Sequence, residues 1–230
     1  MEIVPGLHSV RLLGARAYLV VEDEITLIDA GLQGSGPLLR RHVEGIGRTV
    51  GEVTRIVCTH GHPDHIGGVR EIAAMTGAQV LMHEADVVRL RIGMREALRE
   101  LRPSAFVAAL TRGPEDAKPL DDGAVLPGLG GLEVVHTPGH TPGSVCLHVP
   151  AHRLLIVGDV LQVLRGQVAL PSYVFTEDMA LARRSIARLA ELDIDTICFA
   201  HYPTLRHGGR EALRALAERA RSGSAATSKT

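Results

Sequence analysis

The chain has no tryptophan, only three phenylalanines and only three tyrosines. So few rings argue against a stacking platform for single-stranded nucleic acid and remove the usual anchors of a large protein interface. Lysine is nearly absent too: Lys118 and Lys229 are the only two, and the remaining basic residues are arginines. Basic and acidic residues almost balance, 25 against 26, for a net charge of -1. No global field would therefore draw the protein onto nucleic acid or an anionic membrane. Three cysteines in 230 residues, with no Cys-x-x-Cys pair, argue against a disulfide framework. Cys58, Cys146 and Cys198 each lie in an apolar run and read as buried thiols, which fits a reducing cytoplasm. Residues 1–10 have no basic start leading into a long apolar stretch, and no 18-residue apolar run occurs. Neither a signal peptide nor a membrane span is expected.

What is present suffices for a full core. Hydrophobic residues make up 45% of the chain and charged ones 22%, an ordinary globular balance. A single domain is expected over residues 1–221, with the small, polar stretch 222–230 as a disordered tail. Short apolar runs at Leu7–Leu13, Ala17–Glu22 and Ile25–Asp29 predict a meander of strands. Leu38, Leu39, Val43 and Ile46 then recur at helical spacing. Arg55–Thr59 reads as a strand, Val69 to Thr76 as a helix closed by Gly77, and Gln79–His83 as another strand. Further strands are expected at Leu132–His136, Val145–Val149, Leu154–Gly158 and Thr196–Ala200. Helices are expected over 178–192, capped by Thr176, and over 211–221. Between them, Val87, Leu90, Met94, Leu98 and Leu101 share one helical face. The arginines there alternate with Glu84, Asp86, Glu96 and Glu100, which reads as a solvated face. The stretch from Ala85 to Asp122 is open to several roles: a lid or pocket wall, a dimer contact, or core packing.

The chemistry concentrates in a loop that directly follows the Arg55–Thr59 strand. His60, His62, Asp64 and His65 fall within six residues and are followed by Gly67-Gly68. One histidine is usually a hydrogen-bonded or surface residue, but three with a carboxylate are costly to bury unless a cation is there to bind. His60 and His62, two apart on a loop, can converge on one ion; Asp64 and His65 then point elsewhere and suit a second. Imidazole nitrogen and carboxylate oxygen are the ligands that zinc takes at ~2.0–2.2 Å. The cluster sits at the C-terminal end of a strand, where open α/β sheets place ligands.

The segment THGHPDHIGG resembles the signature loop of the metallo-β-lactamase superfamily, in particular its glyoxalase II-like and lactonase-like branch. Later landmarks follow in order: LIDAGL with Asp29 lies before the loop, and HTPGHTPGS with His140, LLIVGD with Asp159 and ICFAH with His201 lie after it. The resemblance covers residues 10–216. It implies an α+β fold, a four-layer αββα sandwich with two metal ions at one edge of the sheets. One ion would be held by His60, His62, His140 and Asp159, the other by Asp64, His65, His201 and the shared Asp159. Asp29 would support the histidine loop from behind. The implied cofactors are two divalent ions, zinc first, with manganese, iron and cobalt accepting the same donors. The implied reaction is attack of a metal-bridging hydroxide on the carbonyl of a small ester, thioester or lactone. Asp64 would orient that hydroxide or pass a proton to the leaving group.

Other polar residues have weaker claims. Tyr173, in the LPSYVF loop after Asp159, is a candidate to hold the substrate carbonyl; Gln162 stands where lactonase-like relatives place a tyrosine. Thr141 and Ser144 either support the ligands or simply shape a Pro/Gly turn. His83 either supports the cluster or is a satisfied polar residue, and His207 reads as a solvated loop. Two other functions compete with the hydrolase. A mononuclear iron oxygenase of the persulfide dioxygenase type shares the histidine loop, and GDVLQVLRG is faintly similar to it, but the Arg-Thr-Asp-Phe stretch of that branch is missing. A non-catalytic binding protein on the same fold would not need all seven ligand residues. The expected partner is a small-molecule substrate, with no nucleic acid and no membrane; a homodimer is left open.

Overall fold

The computed structural model describes residues 1–89, 95, 98–99, 114 and 116–227. Seven strands form the first sheet in sequence order: β1 (Glu2–Val4), β2 (Leu7–Arg11), β3 (Arg16–Val21), β4 (Ile25–Ile28), β5 (Val53–Val57), β6 (Gln79–Met82) and β7 (Lys118–Pro119). β1 to β4 form an antiparallel meander, whereas β4 to β7 run parallel. Parallel neighbours need crossovers, usually helical. α1 (Gly36–Gly45) joins β4 to β5, and α2 (Pro63–Ile66) with α3 (Val69–Thr76) joins β5 to β6. α3 stops at Gly77, whose φ of 74° is left-handed. α4 (Glu84–Arg89) follows β6.

The second sheet has the order β14-β11-β10-β9-β8, built from β8 (Val125–Leu126), β9 (Leu132–His136), β10 (Val145–Val149), β11 (Leu154–Ile156) and β14 (Thr196–Cys198). β11 and β14 are parallel, and their crossover carries a small hairpin, β12 (Gln162–Leu164) with β13 (Gln167–Ala169), and α5 (Met179–Leu189). α6 (Gly209–Thr227) closes the described chain and runs six residues past the Arg221 limit expected for it. Among the described residues, no helix is long and apolar enough to cross a membrane.

Strand alternation sorts the apolar side chains into three layers. Tyr18 and Val20 of β3 and Ile28 of β4 point between the sheets, where they meet Val145, Leu147 and Val149 of β10 and Leu154 and Ile156 of β11. The alternate residues Ala17, Leu19, Ile25 and Leu27 face outward onto Leu39 and Val43 of α1 and Ile72 of α3. On the other side Cys146, Leu155 and Ile197 face Ile186 and Leu189 of α5 and Leu213 and Leu216 of α6. Helices, sheet, sheet and helices thus enclose three apolar layers, the αββα sandwich expected. Each fully buried Leu or Ile in them contributes about 1.5–3 kcal/mol of transfer free energy. All three cysteines are buried and free, as the sequence predicts.

Candidate metal centre

Strand ends deliver the polar residues to one edge of the sandwich. β5 ends at Val57, and the following loop carries His60 and His62 beyond the sheet. His62 is extended, and Pro63 takes the first helical position of α2, where no N–H is required. That single turn then places Asp64 and His65. His140 lies in the loop between β9 and β10. Ile156 of β11 pairs with Cys198 of β14, so Asp159 and His201, each three residues further on, emerge side by side. Gly158 makes the turn into Asp159 with φ of +49°; a side chain there would also meet the Thr59 hydroxyl, 2.6 Å from the position of its Cβ.

Two overlapping donor sets result. His60, His62, His140 and Asp159 form one; Asp64, His65, His201 and Asp159 form the other; within each, the ligand atoms all lie within 4.8 Å of one another. Nδ1 of His62 is 3.1 Å from Nε2 of His60 and 3.0 Å from Nε2 of His140. In the second set, Nε2 of His201 is 3.1 Å from Oδ1 of Asp159 and 3.2 Å from Oδ2 of Asp64. Nε2 of His65 is 3.4 Å from Oδ1 of Asp159. Two ligands ~2.0–2.1 Å from a tetrahedral ion stand about 3.3 Å apart, so the donor spacing fits a cation in each set. Nε2 of His65 is buried and hydrogen-bonds to nothing among the described residues, as a metal-directed nitrogen would.

Proton placement points the same way. Asp29 follows β4 with φ of +62°, a left-handed conformation that Asp tolerates better than most residues. Its Oδ1 accepts the Thr59 N–H at 2.8 Å, and its Oδ2 accepts the Thr59 hydroxyl at 2.8 Å. Having given its proton to Asp29, the Thr59 Oγ1 accepts from Nδ1 of His60, 3.1 Å away. Nδ1 of His65 likewise donates to Oδ2 of Asp29 at 2.7 Å. Both imidazoles are thereby held with Nε2 turned to the cluster, an outer-shell arrangement that fixes tautomer and orientation. Burial, followed by His65, His62 and His140, holds His60 well below the ordinary imidazole range. Burial also opposes charge on His65, but Asp29 and Asp159 outweigh it and hold that imidazole well above its usual value. Burial would raise the Asp159 carboxyl, yet His65, His201 and His60 hold it well below its usual value. Hydrogen bonds to Asp159 and Asp64 raise His201 to about 9.

One supporting residue escaped the sequence reading. Asp86, expected on a solvated charged face, is fully buried. Its Oδ2 accepts from Gly61 N at 2.7 Å and from the Thr141 hydroxyl at 2.6 Å, and its Oδ1 accepts from Gly143 N at 2.7 Å. It thereby ties the His60–His62 loop to the His140 loop. Gly143 has no room for a side chain, since a Cβ there would lie 2.6–2.8 Å from Asp86. Thr141 and Ser144 hydrogen-bond each other at 2.8 Å and serve that strap rather than the ligands directly. Thr176 does not cap α5; Asp178 does, accepting from Leu181 N at 2.8 Å. The Thr176 hydroxyl instead lies 3.2 Å from Nδ1 of His140. His83 stacks on His136 with ring centroids 3.9 Å apart, and His207 is exposed beside Asp195.

A cavity of about 530 Å³ opens over the cluster, lined by His62, Asp64, His140, Asp159 and His201 and walled by Leu32, Leu161, Gln162, Phe175 and Tyr202. Tyr173 is not on this wall, contrary to the role expected for it. A turn closed by Thr176 N donating to Ser172 O at 3.0 Å puts Tyr173 at its tip, 82% exposed. Ser172, which opens the turn, and Phe175, within it, reach the cavity instead. Tyr202, whose hydroxyl is 3.4 Å from Oε1 of Gln162, is the tyrosine that lines this cavity. Most of the 85–122 stretch lies outside the described residues, and with it the proposed lid.

The sequence profile of the metallo-β-lactamase superfamily matches residues 10–201, and the chain belongs to that superfamily. It is 28% identical over 255 residues to the probable metallo-hydrolase YflN of Bacillus subtilis strain 168, covering 95% of this chain and 92% of that protein. A hydroxyacylglutathione hydrolase of Maricaulis maris strain MCS10 is 31% identical over 164 residues, which is 70% of this chain and 52% of the relative. The chain therefore matches about half the length of that enzyme. A metallo-β-lactamase family protein from Thermus thermophilus superposes with a TM-score of 0.76 at 24% identity, covering 98% of this chain and 81% of that one. That likeness concerns the fold.

Proposed function

We propose that the protein is a dinuclear metal-dependent hydrolase of small esters, thioesters or lactones. One cation would be held by His60, His62, His140 and Asp159, and the other by Asp64, His65, His201 and Asp159. The observation that carries this reading is that Asp159 belongs to both donor sets. The imidazole donors suit zinc, and a set that mixes imidazole with carboxylate suits manganese, iron or cobalt as well. Bound divalent ions at such a pair supply an acidified water and a Lewis acid for a carbonyl oxygen.

The chain's own residues then have definable tasks. Burial works against the charged form of Asp64, but the hydrogen bond from His201 and the nearby His65 keep its carboxyl below the usual value. An ionised carboxylate, part-exposed on the cavity wall, can take a proton from attacking water and return it to the leaving oxygen or sulfur. The Tyr202 hydroxyl can donate to the substrate oxygen, the preorganised contact that acyl transfer benefits from. Leu32, Leu161 and Phe175 limit water at the reacting bond. A cavity of this size suits a small molecule. Three buried free thiols suit a reducing compartment, and the proposal places the enzyme in the cytoplasm.

The test is elemental analysis of protein purified without added metal, followed by assays on thioesters, esters and lactones. About two ions per chain, with hydrolysis lost on chelation and restored by metal, is the expected result. About one iron per chain, with oxygen uptake on persulfides and no hydrolysis, would replace this reading by the iron oxygenase.

A further inference from the structure

A second hollow of about 430 Å³ adjoins the metal-edge cavity, and Gln162 lines both. It is formed between the β12–β13 hairpin, α5 and α6, and its walls are mostly apolar: Leu164, Val168, Leu170, Met179 and Leu216. Two guanidinium groups, Arg183 of α5 and Arg219 of α6, also line it. Among the described residues, each makes a single hydrogen bond, to a backbone carbonyl. Nη1 of Arg183 donates to Ala220 O at 3.3 Å, and Nη2 of Arg219 donates to Val168 O at 3.1 Å. Arg55, Arg153 and Arg188 each meet a carboxylate within 3.0 Å; Arg183 and Arg219 have no such partner among the described residues. A guanidinium has five N–H donors arranged to grip a carboxylate, so most of the donors at this hollow are left for another acceptor. Tyr173, turned away from the metals, faces this space instead.

We infer that this hollow receives the far end of the substrate, and that the substrate is an ester or thioester whose acyl chain ends in a carboxylate. The inference rests on the hydrolase reading. The scissile carbonyl lies at the histidine–aspartate cluster, an apolar spacer passes Gln162, and the terminal carboxylate reaches Arg183 and Arg219. Hydrolysis balances without any further reagent: water supplies the hydroxyl that joins the acyl carbon, the C–S or C–O bond breaks, and water's proton leaves with the thiol or alcohol. The acid product is a dicarboxylate. Arginine rather than lysine suits the task, because its planar fork binds carboxylate through two parallel bonds.

The experiment uses the metal-loaded protein and S-phenyl thioesters of glutaric, adipic and suberic acid, each with its far carboxyl free or converted to the primary amide. For one chain length, the acid should exceed its amide in kcat/KM by roughly tenfold at low salt, the effect of two partly screened charge pairs. The gain should lie in KM and should shrink as salt rises. The double variant Arg183→Met, Arg219→Met should lose that preference while keeping its turnover of the amides; Arg183→Lys, Arg219→Lys should keep part of it. Thermal unfolding of each variant checks that the fold survives. Equal turnover of acids and amides by the wild type, or an equal loss on both series in the methionine variant, overturns the subsite. If neither series is hydrolysed, the hydrolase reading fails for these bonds. Calorimetric binding of the intact thioesters still decides the subsite: preference for the acid, lost in the methionine variant, upholds it, and no preference removes it.

Discussion

Nδ1 of His65 lies 2.7 Å from Oδ2 of Asp29, and through Thr59 the same carboxylate also sets the orientation of His60. One residue outside both donor sets therefore orients one imidazole in each. Asp29→Asn keeps the left-handed backbone, which Asn also tolerates, but it replaces one acceptor oxygen by a donor. Facing His65 or Thr59, that donor meets a proton already there. Metal affinity should fall about 10–100-fold, read by competition with a chromophoric chelator. Unchanged affinity would mean that ligand orientation is held by packing alone.

Asp86 has a different task, since it touches no ligand side chain and bonds the two loops that bear them. Asp86→Ala leaves the Gly61 N–H, the Gly143 N–H and the Thr141 hydroxyl with one acceptor fewer in a buried place. A loss of about 3 kcal/mol in unfolding free energy is expected. The more telling variant is Asp86→Asn, which fills the same space with a single acceptor. It should weaken the ion among His60, His62 and His140 while sparing the ion at Asp64, His65 and His201. Stepwise metal titration followed by calorimetry separates the two.

Much of this was legible in the sequence, and the exceptions have physical causes. Strands whose two faces are both buried, such as β11, read as unbroken apolar runs, and the seven residues of the two donor sets stood out because they cluster after strands. Asp86 was hidden because Glu84 on the same helix is charged and exposed, and arginines and glutamates alternate in the sequence that follows; nothing local separates a buried strap from a solvated face. Thr176 and Asp178 are both good caps, and the choice between them depended on His140, which is distant in sequence. The β12–β13 hairpin turns at Arg165 and Gly166, whose φ values are both positive, 51° and 78°; Gly166 is the one residue of that two-residue turn that marks it in the sequence. Tyr173 was misplaced because the direction of a side chain at a turn tip is set by the turn, not by its distance from Asp159.

The pH dependence of the chelated protein follows from the same charges. His201 is raised to about 9 by Asp159 and Asp64. A raised imidazole contributes stability that is fully present below its unfolded value near 6.5 and lost as pH climbs through about 9. Asp159 is lowered, so its share is present above its unfolded value near 4 and lost as pH falls further. Chelated protein should therefore melt at a falling temperature from pH 6.5 to 9. Metal-loaded protein should show the opposite trend at the start of that range, because metal competes with protons for the imidazoles. His65 is raised as well, by Asp29 and Asp159, so its share is lost over the same rise in pH. His201→Gln should therefore make the alkaline limb of the chelated protein shallower without abolishing it, and a limb of unchanged depth assigns it to groups other than His201.

Tyr202 on the metal-edge cavity and Tyr173 on the neighbouring hollow make a paired test. Tyr202→Phe removes the phenol hydroxyl from the wall of the metal-edge cavity and should lower kcat by about tenfold or more with little change in KM, as loss of a donor to the reacting oxygen does. Tyr173→Ala should leave kcat on short neutral substrates unchanged, because its ring faces the neighbouring hollow. The reverse pattern in steady-state kinetics would return Tyr173 to the reacting carbonyl and remove Tyr202.

The turn at Gly158 joins Asp159, shared by both donor sets, to the chain of hydrogen bonds behind them. A Cβ at Gly158 would stand 2.6 Å from Oγ1 of Thr59, the atom that binds both Asp29 and His60. Gly158→Ala therefore has two effects. The left-handed backbone costs about 1–2 kcal/mol for a residue with a side chain, and the new methyl pushes either Thr59 from Asp29 or Asp159 from the cluster. Thr59→Ala removes the atom the methyl meets, so the two substitutions should not be additive. The double variant should be more stable than the sum of the single losses predicts, by more than the ~0.5 kcal/mol scatter of independent sites. Its metal affinity should stay low, since His60 has lost its partner. Additive stabilities would place the whole cost of Gly158→Ala in the backbone and leave the Asp159 turn free of Thr59.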